Sequence, residues 1–184
     1  AYTWFNRLIA VKIMQENGWI DRVLDFESEG VRVPLLVANA RRGVLPAMSV
    51  SREQGLRELL EYDTKTTEQF NLLITDFCKG VPVINKCFGK ISDYTELLLP
   101  TDVLSDGGIV DMINHTEFIS EDDFKQSELI GWLYQFYISE KKDAVFASFK
   151  DKKKAEAEDI PAATQIFTPN WIVKYMVQNT VGRI

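Results

Sequence analysis

Histidine occurs once in these 184 residues and cysteine twice. A zinc centre takes several His or Cys ligands set close together, and the chain supplies no such group. Any His-based nucleophile triad would rest on His115 alone, and His115 reads as a helix-end residue beside Asn114. Cys78 and Cys87 stand nine apart, which is neither a C-x-x-C motif nor a disulfide framework. They read as two reduced, buried thiols of a cytoplasmic protein. No apolar run approaches the ~20 residues of a membrane span. The first residues form an aromatic-rich amphipathic pattern with no cleavage site, so no signal peptide is expected. Gly107-Gly108 is not followed by Gly-Lys-Ser/Thr, so it marks a turn and not a phosphate loop.

Basic charge is also scarce. The net charge is −6. It is unevenly spread: residues 1–57 and 129–184 each carry 8 Lys+Arg against 6 Asp+Glu, while residues 58–128 carry 5 against 15. An acidic middle suits DNA phosphates poorly, and strong DNA binding by the chain as a whole is not expected. Arg41-Arg42 and Lys152-Lys153-Lys154 are the compact basic spots, and both read as solvated surface.

What the chain does have is apolar and aromatic material, 46% and 11% of residues. That is enough to bury a core, and the length suits one sizeable domain and a little more. The pattern is mainly helical. From Tyr2 to about Gln15, Trp4, Leu8 and Val11, with Phe5, Ile9 and Ile13, line a broad apolar face, and Gly18 ends the helix. Residues 30–50 are less regular. Val31 to Val37 suggest a short strand, with Pro34 arguing for an edge or a loop. Helices are expected over Arg52–Tyr62 and Thr67–Lys79, the second with Phe70, Leu73, Ile74 and Phe77 inward. Pro82 breaks the pattern, and a short helix follows to Phe88. Asp102 to Gly108 is a turn cluster ahead of a helix over Ile109–Ile113. Ser120-Glu121-Asp122-Asp123 has the form of a helix-start box. The helix from Ser127 to about Ser139 presents Leu129, Ile130, Leu133, Phe136 and Tyr137, widened by Trp132 and Tyr134 until little polar surface remains. These aromatics read as core and not as a base-stacking platform.

Lys150 to Asp159 is charged and has no large apolar residue. It reads as a connection of residues 150–160 between a helical domain, 1–149, and the start of another, 161–184. In that last segment Thr168 is placed to cap a helix and Pro169 to take its first position. Trp171, Ile172, Tyr175 and Met176 follow at helical spacing, with Gly182 and Arg183 suited to the helix end. Free N–H groups at such a start accept an anion such as a carboxylate.

Gln165-Ile166-Phe167-Thr168-Pro169, then Ile172-Val173 and Met176-Val177, resembles the region called motif X in N6-adenine DNA methyltransferases. Three further blocks, Ala1–Ala10, Asp93–Pro100 and Gly131–Lys142, are similar to the N-terminal region of the BREX-type adenine-specific methyltransferases of phage defence, and related restriction-modification enzymes share parts of the pattern. The resemblance runs from end to end, in order. It implies a parent enzyme that moves a methyl group from S-adenosyl-L-methionine to N6 of a flipped-out adenine in double-stranded DNA, with other defence-system proteins as partners. It carries Gln165, Phe167, Thr168 and Pro169 over as neighbours of the cofactor. Motif I (Asp-x-x-x-Gly-x-Gly) and the Asn-Pro-Pro-Tyr motif, both needed for the chemistry, are absent, so no residue is assigned as catalytic. The chain begins with Ala and stops soon after motif X begins, which suggests a piece of a larger enzyme. The expected fold is an N-terminal helical domain followed by the first helix of an α/β methyltransferase domain.

Two other functions compete. Some relatives carry an N-terminal nuclease, and Glu140-Lys141-Lys142 has the Glu-x-Lys form used with Mg²⁺, but it follows a helical pattern where such motifs need strands. A non-catalytic helical docking module using the acidic middle is the alternative from another class.

Overall fold

The structure, a computed structural model, describes residues 2–28, 30–92, 98–115, 119–126, 128–150, 157, 159–164 and 168–183. It divides into two compact units, Ala1–Ser127 and Glu128–Ile184. Among the described residues it is mainly α, with one two-stranded sheet.

In the first unit, α1 (Tyr2–Glu16) is central. Trp4, Leu8 and Val11 are fully buried and Ile9 and Ile13 nearly so, on the face expected from their spacing. The opposite side is buried too: Arg7, Lys12, Gln15 and Glu16 are all covered. Thr3 is exposed and Phe5, Asn6 and Met14 are half-buried, but a helix covered on two sides still needs partners for its polar side chains, and α1 has them for most. Gly18 (φ 71) adopts the left-handed conformation after it, as expected at a helix end.

The chain then reverses into an antiparallel hairpin, β1 (Phe26–Ser28) and β2 (Val31–Pro34), with Phe26 opposite Pro34 and Ser28 opposite Val31. The strand expected over Val31 to Val37 thus stops at Pro34. From Leu35 the chain is helical, α2 (Leu35–Arg41), with Pro34 at its N-cap. Leu36, Val37, Ala38 and Ala40 are all buried, so this short helix shows a continuous apolar run that reads equally well as strand. Pro34 tolerates the end of a ladder in a two-stranded sheet, where every strand is an edge.

Next come α3 (Val50–Leu60), α4 (Thr66–Gly80) and α5 (Pro82–Phe88), each within one or two residues of expectation, with an unanticipated 3₁₀ turn (Asp63–Lys65) between α3 and α4. Pro82 ends one helix by starting another, at its first position. Phe70, Leu73 and Ile74 are fully buried on α4. Buried Gln69 joins three elements: Nε2 donates to the carbonyls of Leu59 (2.8 Å) and Tyr62 (2.9 Å) at the end of α3, and Oε1 accepts from Arg41 Nη2 (2.9 Å) on α2. Arg52 Nε donates to buried Asp76 (2.8 Å), pinning α3 to α4.

The turn cluster at Asp102–Gly108 is present and tight. Gly108 has no room for a side chain, since a Cβ there would lie 2.4 Å from the Asp102 carbonyl oxygen. It leads into α6 (Ile109–Asn114). The box at Ser120 is formed: Ser120 N donates to Asp123 Oδ2 (2.8 Å), Ser120 Oγ accepts from Asp123 N (3.3 Å), and α7 (Glu121–Phe124) follows.

The second unit holds α8 (Leu129–Lys150), α9 (Ile160–Thr164), α10 (Asn170–Asn179) and a closing 3₁₀ turn (Val181–Arg183). α8 runs eleven residues past Ser139, where the helix was expected to stop. Leu129, Ile138 and Val145 are buried along it, but Trp132 is 47% exposed, so the helix is less fully apolar-covered there than its composition suggested. The side chains of Ile130, Leu133, Tyr134, Phe136 and Tyr137 lie outside the described residues, as does the Lys152–Lys154 run.

Candidate functional site

The cofactor-neighbour segment is partly described. Thr168 and Pro169 are exposed at the start of α10, and Gln165 and Phe167 lie outside the described residues. The helix opens one residue later than its spacing suggested. Pro169 (φ −54, ψ 141) is the N-cap residue and not the first helical one, and no side chain caps the first turn. Thr168 therefore lies one residue outside the N-cap, and Pro169 has no side-chain acceptor to offer the first turn. The carbonyl of Pro169 accepts from Ile172 N (3.0 Å) and Val173 N (3.3 Å). The far end also differs: α10 closes on Thr180, and Gly182 sits in the following 3₁₀ turn without a positive φ.

α10 is the least covered helix here. It has no buried residue, and Trp171, Tyr175, Met176 and Val177 are all more than half exposed. Among the described residues of its own unit, nothing covers this apolar surface.

A second arrangement lies in the first unit, where α1, the hairpin and α6 meet. Lys12 Nζ is nearly inaccessible and reaches three acceptors: Asp25 Oδ1 (2.7 Å), Glu16 Oε1 (2.9 Å) and Asn114 Oδ1 (3.1 Å). Arg22 closes the network through Nη1 to Asp25 Oδ2 (2.6 Å) and Nη2 to Glu16 Oε2 (3.0 Å). Gln15 takes two roles at once. Its Nε2 donates to Asp25 and Glu16, while its Oε1 accepts from the backbone N–H of Val23 (2.9 Å) and Leu24 (3.1 Å). Asn114 Nδ2 donates to the Leu24 carbonyl (2.8 Å). For Asp25, burial works to raise the pKa, but the hydrogen bond and charge of Lys12, with the hydrogen bonds of Arg22 and Gln15, outweigh it and hold the carboxyl below its ordinary range.

Around this network two cavities open. One, of about 420 Å³, has Lys12, Arg22, Asp25, Asn114 and Glu121 among its walls. The other, of about 280 Å³, has Val31, Arg32, Asp106 and Asp111. Phe26 and His115 line both, and their rings stack at 5.6 Å and 27°. His115 is the C-cap residue of α6 and is exposed, the helix-end position expected for it. Its Nδ1 lies 3.4 Å from Asp111 Oδ1. Little in the sequence points to this site, because its members come from segments as far apart as Lys12 and Glu121 and each looks unremarkable alone.

Arg7 is buried on α1 against Trp4, its guanidinium 5.3 Å from the ring. Its Nη2 donates to the carbonyls of Phe88 (3.0 Å) and Gly89 (3.1 Å), capping the end of α5, while Nε and Nη1 have no partner among the described residues. Nearby Cys78 is buried, and burial raises its thiol pKa to about 12 against the opposing charge of Arg7. Such a thiol is inert. Cys87 is exposed, contrary to the expectation of two buried thiols: Ile84 and Phe88 make the inward face of α5 and leave Cys87 off it.

Among the described residues no group of three His, Cys, Asp or Glu side chains is placed to hold a metal ion, and no helix is long and apolar enough to cross a membrane. Glu140-Lys141-Lys142 falls in the middle of α8, on helix and not on strand. The strand frame that a Glu-x-Lys nuclease needs is not there.

No protein-family profile matches the chain. Two individual proteins do. Both are adenine-specific methyltransferases, and the match covers all of this chain. They are BrxX of Escherichia coli O9:H4 (strain HS), 40% identical over 189 residues, and PglX of Lacticaseibacillus casei (strain Zhang), 39% identical over 197. The chain spans 15% and 16% of the length of these relatives. It is thus homologous, end to end, to a segment of the BREX adenine-specific methyltransferases.

Proposed function

We propose that the chain is the N-terminal helical part, with the opening of the catalytic domain, of a DNA N6-adenine methyltransferase that marks host DNA in phage defence. The whole-chain identity of about 40% to two enzymes named for adenine-specific methylation carries this reading. The intact enzyme would act in the cytoplasm on double-stranded DNA, taking its methyl group from S-adenosyl-L-methionine. The cofactor supplies an electrophilic methyl. This chain's share is to help hold it: Gln165, Phe167, Thr168 and Pro169 stand beside it. The residues that are described fit that role. Thr168 and Pro169 are exposed, and no side chain caps the first turn of α10, which leaves backbone N–H groups open to a carboxylate. The uncovered apolar surface of α10 suits a helix that packs against the remainder of a catalytic domain. Motif I and Asn-Pro-Pro-Tyr are not in these residues, and the chain alone transfers no methyl group.

The test compares this chain with one extended through both motifs. Transfer of labelled methyl to adenine-containing duplex is expected from the extended chain only. In it, Thr168→Ala with Pro169→Ala raises KM for the cofactor more than it lowers kcat. Methylation by the 184-residue chain itself, or an extended chain that binds the cofactor unchanged by the double substitution, would overturn the assignment.

A further inference from the structure

Two properties of the Phe26–His115 furrow bear on what it binds. The first is its charge. Of the Lys and Arg side chains in its walls, Lys12 is spent on Asp25, Glu16 and Asn114, Arg22 on Asp25 and Glu16, and Arg32 on Asp106 (2.6 Å) and Asp111 (3.8 Å). The carboxylates outnumber them: Asp25, Glu121, Asp106 and Asp111 line the cavities, and Glu16 lies in the network beneath. Glu121 is 66% exposed and its nearest cation, Arg22 Nη1, is 3.9 Å away. Asp106 is 89% exposed, and its one close ionic contact among the described residues is to Arg32. An incoming anion would meet cations already neutralised and carboxylates still facing water. An incoming cation meets the reverse.

The second property is shape. Phe26 and His115 form a stacked aromatic wall shared by both cavities, with Glu121 bordering one and Asp106 bordering the other. A planar guanidinium lies flat on such a ring and donates sideways to carboxylates. A lysine ammonium uses the carboxylates but not the plane.

We propose that this furrow is a docking site for a basic segment of a partner protein, with one arginine side chain laid on the Phe26–His115 stack and a neighbouring positive charge held by Glu121 or Asp106. The site belongs wholly to the first unit. It gives the acidic helical region a role in assembly that does not depend on methyl transfer.

The experiment uses the 184-residue chain at low ionic strength, with the ring protons of Phe26 and His115 followed by NMR. Three probes are added in turn: the peptide acetyl-Gly-Arg-Gly-Lys-Gly-amide, the same peptide with citrulline in place of arginine, and inorganic phosphate. The arginine peptide is expected to shift both rings saturably, and the citrulline peptide and phosphate are not. Glu121→Gln and Asp106→Asn should each weaken the arginine peptide by roughly two- to fivefold, as expected for exposed charge pairs. Both residues are exposed, so unfolding temperature serves as a check that the fold is kept. His115→Ala, which removes part of the plane and keeps the carboxylates, should weaken the arginine peptide while its preference over citrulline remains. No saturable shift, equal shifts from the two peptides, or a response to phosphate in place of the arginine peptide would overturn the proposal. The last result would point to a nucleic-acid backbone contact instead.

Discussion

Lys12 shows why α1 misleads when it is read alone. By spacing it belongs to the polar side of an amphipathic helix, yet its ammonium is almost wholly covered and held by three acceptors. Nothing in the local pattern announces this, because Asp25 and Asn114 reach it from beyond the helix. Replacing one member of a buried charge network leaves another unpaired, and Lys12→Met is expected to cost about 3–5 kcal/mol in urea unfolding. Arg22→Met should cost less, since Arg22 is half exposed. Asp25 gives the network a pH signature. Its folded pKa is depressed below the usual carboxylate value, so the stability it contributes is present above the unfolded pKa and is lost as pH falls through the folded one. Thermal unfolding from pH 6 down to about 2 should therefore show a loss that Asp25→Asn makes shallower. An equal slope in the variant would remove Asp25 from that role.

Among elements, the long ones were legible and the short ones were not. α1 and α4 carry their inward residues at helical spacing over three or more turns, and the structure places both, with α3, within one or two residues of expectation. α2 was misread because seven residues buried nearly all round show no period. The start of α10 was misplaced by one because Thr-Pro fits two cap registers equally well until backbone angles decide. The loop into α6 was expected as a turn, but not its tightness. Gly108→Ala would drive a methyl group into three backbone carbonyls, those of Asp102, Val103 and Ser105, which have no rotamer to escape by. A loss of about 1–3 kcal/mol is expected from calorimetry. Gly107→Ala tests a different cause, since its neighbourhood is open and only its positive φ (68) resists a side chain.

For the whole molecule, protection should be graded. Amide exchange is expected to be slowest in α1 and α4, whose residues fill the first core, and fastest in α10, which has no buried residue. In a longer chain that includes the catalytic motifs, α10 should become as protected as α1. Exchange in α10 that stays fast there would count against its packing on a catalytic domain. The candidate cofactor segment was open to proposal from sequence because its residues are contiguous. The Phe26–His115 furrow was not, because it exists only once residues 12, 26, 32 and 115 have been brought together by packing. The centrality of α1 also has a consequence in time. Its buried partners stand far along the chain: Arg7 waits for Phe88 and Gly89, Lys12 for Asn114, and Asn17 for Phe124. A ribosome adding about 5–20 residues per second needs roughly 5–20 s to make those hundred or so residues. During that interval α1 has been made and its partners have not, and its apolar face stands open to a nascent-chain chaperone.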